Sequence, residues 1–347
     1  MIKKRIESID FLRTIAILIM LIANAAPYTL KGPHPIWFRM ICSFAAPLFI
    51  FISGFSFFLS FKKNENYKHK LVLTLYLLLS AIFVDVVIWG ILPFQTFDVL
   101  YLIAFGQAIN ILIFRLKFPI KLFIALIFIV SSPLLENYFG YRFNNKDFNL
   151  NSVFSSDFNL SGVFQFSRFC IDGWFPLTPW IGFAIIGSVS AELSEKISLN
   201  LKTVKWVSLI FLISGLGVFF SQNVIQCERD GYLELFYPPT PLFLLIAFAF
   251  IFTTYSFSIK MNFYLHSRFN YINILGRHSL FIYIFHAFII SYVFESYLVP
   301  SGCFQFAFLM VAFVSICILL TTLLERINKK DSLKSIPLFI KTILGLK

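Results

Sequence analysis

RIESIDFLRTIAILIMLIANAAPYTLKGPHPIWFRMICSFAAPLFIFISGFS, residues Arg5 to Ser56, decides how the rest of this chain is read. It holds two apolar runs, each near the roughly 20 residues that an α-helix needs to cross a bilayer. Asp10 and Arg13 stand at the entrance to the first run. Asn24 lies near its far end, and His34 falls in the short loop between the two. Polar groups at both mouths of one helix pair suggest chemistry that connects two aqueous sides. The remaining chain then becomes the wall around that pair.

Composition supports this outward reading. Hydrophobic residues make up 59% of the 347 and charged residues 13%, against about 45–50% and 25% in soluble domains. Mean hydropathy is +0.82. A soluble fold cannot hide so much apolar surface. The expected class is all-α, a polytopic membrane helix bundle of about ten transmembrane helices with both termini cytoplasmic. The spans are placed near 10–28, 38–60, 71–90, 97–115, 119–134, 175–192, 204–221, 237–258, 275–294 and 303–325. The 47 Phe suit lipid-facing helices.

The net charge of +12 does not point to nucleic acid, because it collects in short loops between apolar runs. With the N-terminus inside, most of the 29 basic residues fall on the inner side. The outer side keeps Lys31, Arg39, Arg142, Lys146, Arg168 and Arg229. This is the bias expected of cytoplasmic loops, and it puts His34 outside. No small-residue cleavage site follows the first run, so that span is expected to remain in the mature protein. Residues 1–326 read as one membrane-embedded domain and 327–347 as a basic cytoplasmic tail. The tail's apolar patch, SIPLFI, suits the inner membrane surface.

The five Cys fit no metal spacing, and no metal is expected. Cys170, Cys227 and Cys303 fall in or beside outer segments, where they could pair in an oxidising compartment or stay as thiols. The long outer segment 135–174 holds a near-repeat, DFNLNSVFSS from Asp147 and DFNLSGVFQF from Asp157. Loops of this length often act as lids or binding segments.

His34 can take and return a proton near neutral pH. It sits between Pro33 and Pro35, which restrict the local backbone. An ordinary polar loop residue explains it as well. Trp37 follows as an interfacial anchor. Asn24 could hold a carbonyl or an oxyanion, or simply bond to another helix. Asp10 and Arg13, three apart, can pair on one helix face, as a structural ion pair or as a grip on an anionic cofactor. Asp85, Gln107, Asn110 and His286 should face the bundle interior.

Two later stretches also matter. FCIDGWFPLTPWIGFAIIG, from Phe169, brings Asp172 and Trp174 to the outer start of the sixth span. ILGRHSLFIYIFHAF, from Ile274, puts Arg277 and His278 at an inner helix start. They could hold a phosphate there or anchor the helix in the interface. No nucleotide loop, nucleophile elbow or kinase signature appears.

RIESIDFLRTIAILIMLIANAAPY, then a His, then FAAPLFIFISGFSFFLS, resembles the catalytic-domain family of heparan-alpha-glucosaminide N-acetyltransferase. FPLTPWIGFAIIG and LGRHSLFIYIFH resemble later blocks of its bacterial relatives, and the resemblance runs from Arg5 to about His286. It implies a multi-span enzyme that uses cytosolic acetyl-CoA to acetylate an amino sugar, or another glycan or lipid-linked acceptor, across the membrane. The family's catalytic histidine matches His34 and its asparagine matches Asn24. Asp10, Arg13, Arg277 and His278 are then expected to hold acetyl-CoA, and Trp37, Asp172 and Trp174 the acceptor. The family usually has Gly where this chain has Thr14. The expected setting is a cell membrane, plasma or bacterial inner, with lipid and glycan contacts, no nucleic acid, and a homodimer left open. An O-acyltransferase of surface polysaccharide and a transporter or flippase without chemistry are the alternatives. The absence of a clear inverted repeat weighs against transport.

Overall fold

The computed structural model describes residues 7–63, 66–141, 168–196, 201–221, 233–264, 273–328 and 338–344. Its helices are α1 (Glu7–Thr29), α2 (Ile36–Ser43), α3 (Ala45–Lys62), α4 (Tyr67–Phe83) and α5 (Val99–Ile113). Then come α6 (Phe118–Phe139), α7 (Leu177–Lys196), α8 (Leu201–Ser221) and α9 (Pro241–Tyr264). The chain ends with α10 (Asn273–Arg277), α11 (Ser279–Ile289), α12 (Cys303–Asn328) and α13 (Leu338–Leu344). Each of the ten expected spans is a helix, with α2 and α3 forming one crossing broken at Phe44. Among the described residues eight are long and apolar enough to cross a membrane; α5 is shorter at 15 residues, and α8 is not one of the eight. The protein is an all-α polytopic bundle.

Both described ends of the chain lie at one end of the bundle. There the start of α1 meets α10, Arg277 of α10 pairs with Glu325 near the end of α12, and His278 meets α13. The other end ties Lys31 to Ser301, and Ile88, in the turn that follows α4, to Ser291. An even number of crossings follows.

The element at the centre is α3. Its 18 residues are apolar nearly all round, the pattern of a buried helix. It crosses α7 where Gly54 faces Ala184 and Gly187 faces Phe51, and a Cβ on either glycine would overlap the opposing carbonyl. Phe44 stacks on Phe250 at 4.5 Å, and Phe183 stacks on Phe248 at 4.3 Å. The expectation that phenylalanines face lipid therefore holds for only part of them. Phe304 and Phe308 of α12 are exposed, but Phe51, Phe55, Phe57, Phe58 and Phe61 of α3 are buried. Lipid tails are as apolar as phenylalanine, so hydrophobicity does not sort this side chain inward or outward.

Leu233 to Thr240 form an irregular strap, bent at Leu235, Tyr237 and Pro238, that leads into α9. The Arg39 side chain donates to the Leu233 carbonyl at 2.9 Å, and the Leu235 N–H donates to Ser43 Oγ at 2.9 Å. Cys170 and Cys303 are free thiols, as are Cys42 and Cys317, so no pairing occurs among the described cysteines. Cys227 and both copies of the DFNL near-repeat lie outside the described residues.

Candidate active site

A cavity of about 850 Å³ runs between α1, α3, α5 and α11 from one end of the bundle towards the other. Its inner portion is lined by Arg13, Lys70, Arg277 and His278, with Ser53, Ser56 and Ser60. Its outer portion is lined by Trp89, Trp174, Glu234 and Glu295. Asn24, Asp98, Tyr283 and His286 line it as well.

The inner portion is built by helix contacts that the sequence stretches share. Arg13 donates to Asp10 Oδ1 at 3.0 Å and to Ser56 Oγ at 2.6 Å. Arg277 Nε lies 2.6 Å from Glu325 Oε1. Lys70 donates to Ser60, and His278 Nδ1 lies 2.7 Å from the Leu344 carbonyl. Gly276 lets α10 touch α1, because a Cβ there would overlap the Asp10 carbonyl. Thr14 secures the contact: its Oγ1 donates to the Asp10 carbonyl at 3.0 Å and accepts from Gly276 N–H at 3.1 Å. The threonine that departs from the family pattern thus joins α1 to the helix carrying Arg277. Three cations beside a run of hydroxyls can hold an anion such as a phosphate.

Deeper in, Asn24 Nδ2 lies 3.0 Å from His286 Nε2. His286 Nδ1 lies 3.3 Å from the Ile282 carbonyl. A carbonyl only accepts, so Nδ1 carries the proton and Nε2 accepts from the Asn24 amide. That amide has a second N–H, beyond the one given to His286. His286 is 2% exposed. Nearby, Tyr283 donates to Asp98, and its ring meets that of His286 edge-on at 5.0 Å.

The sequence candidates divide on this geometry. Arg13, Asn24, Trp174, Arg277 and His278 line the one cavity, and Asp10 holds Arg13 from behind. His34 and Trp37 are not part of the wall. His34 lies half-buried in the outer loop beside Phe38, with ring centroids 5.9 Å apart. Burial and then the nearby Arg39 hold its pKa below the ordinary histidine value, which favours the neutral ring. Trp37 is 64% exposed, as an interfacial anchor would be. Asp172 is buried in the wide turn Arg168–Asp172, away from the cavity wall.

Lys70, the serines of α3 and Glu234 escaped sequence reasoning. Ser53, Ser56 and Ser60 carried a usable signal, since spacings of three and four place them on one helix face. Glu234 carried none. Among the described residues no group of three or more His, Cys, Asp or Glu could hold a metal ion.

A multi-pass helix bundle with a polar cavity threaded through it, cationic at one end, defines a membrane enzyme more readily than a scaffold. Residues 5–218 match the family model described as heparan-alpha-glucosaminide N-acetyltransferase, catalytic, and the chain belongs to that family. It is a multi-pass membrane protein of a transferase family. The match ends before the stretch from Ile274 to His286. None of the curated proteins matches the chain.

Proposed function

We propose that the protein moves an acetyl group from acetyl-CoA, bound at the cytoplasmic end of the cavity, to a glycan acceptor entering from the other side. The observation that carries this reading is a single cavity with Arg13, Lys70 and Arg277 at one end and Asn24 along its length. Asn24 lies eleven residues beyond Arg13 on α1, about 16 Å along the helix axis. An extended acyl-pantetheine arm has comparable length. The phosphates of the donor stay with the cations, because they cannot enter lipid. The thioester carbonyl then reaches Asn24, whose second N–H donates to the tetrahedral oxyanion.

Two imidazoles compete to take the acceptor's proton. The family resemblance favours His34, whose neutral form is favoured and is able to accept one. His286 already stands in the cavity, and it can act as base only by giving up the Asn24 amide that its Nε2 accepts from. A histidine that first takes the acetyl group itself is the covalent variant of the same reading.

The test is CoA release from labelled acetyl-CoA by purified protein with an amine-bearing sugar as acceptor. His34→Ala and His286→Ala are compared with wild type. Loss of about 100-fold or more in kcat, with donor binding retained, identifies the base. Full activity in both folded variants defeats the histidine mechanism. Substrate flux with no CoA release would favour the transporter.

A further inference from the structure

The outer end of the cavity carries a carboxyl group for which the reaction described so far has no use. Glu234 lies in the strap Leu233–Thr240 and lines the cavity. Both of its neighbours are fixed. Leu233 is held through its carbonyl by Arg39, and Leu235 through its N–H by Ser43. Both leucine side chains are buried in the protein. These two anchors hold the backbone on either side of Glu234, whose side chain lines the cavity. The charged and titratable groups around it are Arg39 and Cys42 of α2, together with Glu295 and Tyr28, which share the cavity.

Proton balance shows what such a group can do. An ammonium acceptor gives R–NH3⁺ + CH3CO–S–CoA → R–NH–COCH3 + HS–CoA + H⁺. The new N–C bond replaces the C–S bond, and the nitrogen loses two protons. One ends on the departing thiolate. The other must leave before attack, because an ammonium has no lone pair. A hydroxyl acceptor loses one proton only, and the thiolate takes it. A second base is therefore needed when the acceptor is an amine.

We propose that Glu234 takes the first proton from an ammonium-bearing acceptor at the outer mouth and releases it to the outer solution. The histidine is then left to move the second proton to sulfur. This assignment rests on the acetyl-transfer reading above and gives that reading its acceptor side. Desolvation pushes the Glu234 carboxyl up to about 7, with Arg39 opposing. A carboxyl of that pKa can accept a proton from an ammonium ion and lose it again near neutrality.

The experiment measures kcat/KM for an amino sugar from about pH 5.5 to about pH 9, on both sides of the Glu234 value of about 7, in wild type, Glu234→Gln and Glu234→Asp. Glu234 works as a base only when ionised, so wild-type activity should fall as the pH drops below about 7. In Glu234→Gln only the already neutral amine reacts. Its acid limb should move up to the amine's own pKa, with a loss of about 100-fold on the acid side that shrinks as the pH rises. Glu234→Asp should recover part of the loss. Thermal stabilisation by desulfo-CoA, bound at the other end, reports that each variant is folded. A Glu234→Gln profile superimposable on wild type overturns the assignment and leaves acetyl transfer standing. A wild-type protein that releases no CoA with amino or hydroxyl-only sugars overturns both.

Discussion

Asn24 shows how far a single polar residue can be read in a membrane helix. Its position near the outer end of the first span was legible, because a carboxamide among leucines and isoleucines stands out and needs a partner. The partner was not legible. His286 is 262 residues away, and only the fold brings it to 3.0 Å. If His34 acts as base, His286 is free to fix the direction of the Asn24 amide. Asn24→Ala should therefore cost about 100-fold in kcat, the scale of losing one oxyanion donor. His286→Ala should cost at least as much as freeing that amide does. The two losses should be strongly non-additive, because the residues touch. A double-mutant cycle on CoA release checks this, and additive losses would mean that the contact has no part in the reaction. Thr14 teaches the reverse lesson. In the sequence it was a departure from a family pattern, and in the structure it is a hydrogen-bonded link between α1 and Gly276.

The same contrast appears in the helices. Apolar length was enough to place a helix at each expected span, eight of them long enough to cross a membrane among the described residues, because a helix satisfies its own backbone in lipid and little else can. Hydropathy says nothing about which helices lie inside. The crossing Ile36–Lys62 is 72% buried and Cys303–Ile327 only 22%, although the second is the more hydrophobic. What marks α3 as an inner, cavity-lining helix is its serine stripe. Ser56 meets Arg13 and Ser60 meets Lys70, so the serines position two of the inner cations. Ser56→Ala and Ser60→Ala should each weaken donor binding about 3- to 10-fold, the equivalent of one ordinary hydrogen bond. Isothermal titration with desulfo-CoA measures this directly. Unchanged affinity in both variants would place the donor's phosphates elsewhere.

At the scale of the whole molecule, the cavity is sorted by charge from end to end. Arg13, Lys70 and Arg277 line the inner end of the cavity, while Glu234 and Glu295 line the outer end. Loop charges set the orientation expected here, since basic loops tend to stay on the cytoplasmic side. They could not give the cavity, which is assembled from residues scattered between Arg13 and Glu295. This polarity makes the two faces of the membrane unequal as sources of substrate. A polyanionic donor meets cations at the inner mouth and carboxylates at the outer one, and like charge disfavours its entry there. In sealed vesicles of known orientation, acetyl-CoA added outside should support turnover only when the cytoplasmic face is exposed. The acceptor should show the opposite dependence. Raising the salt concentration should weaken donor use more than acceptor use, because screening acts most strongly on the multiply charged ligand. Equal turnover with acetyl-CoA from either side would show that the donor does not read the cationic end of the cavity, and the direction of transfer would then have to come from something other than charge.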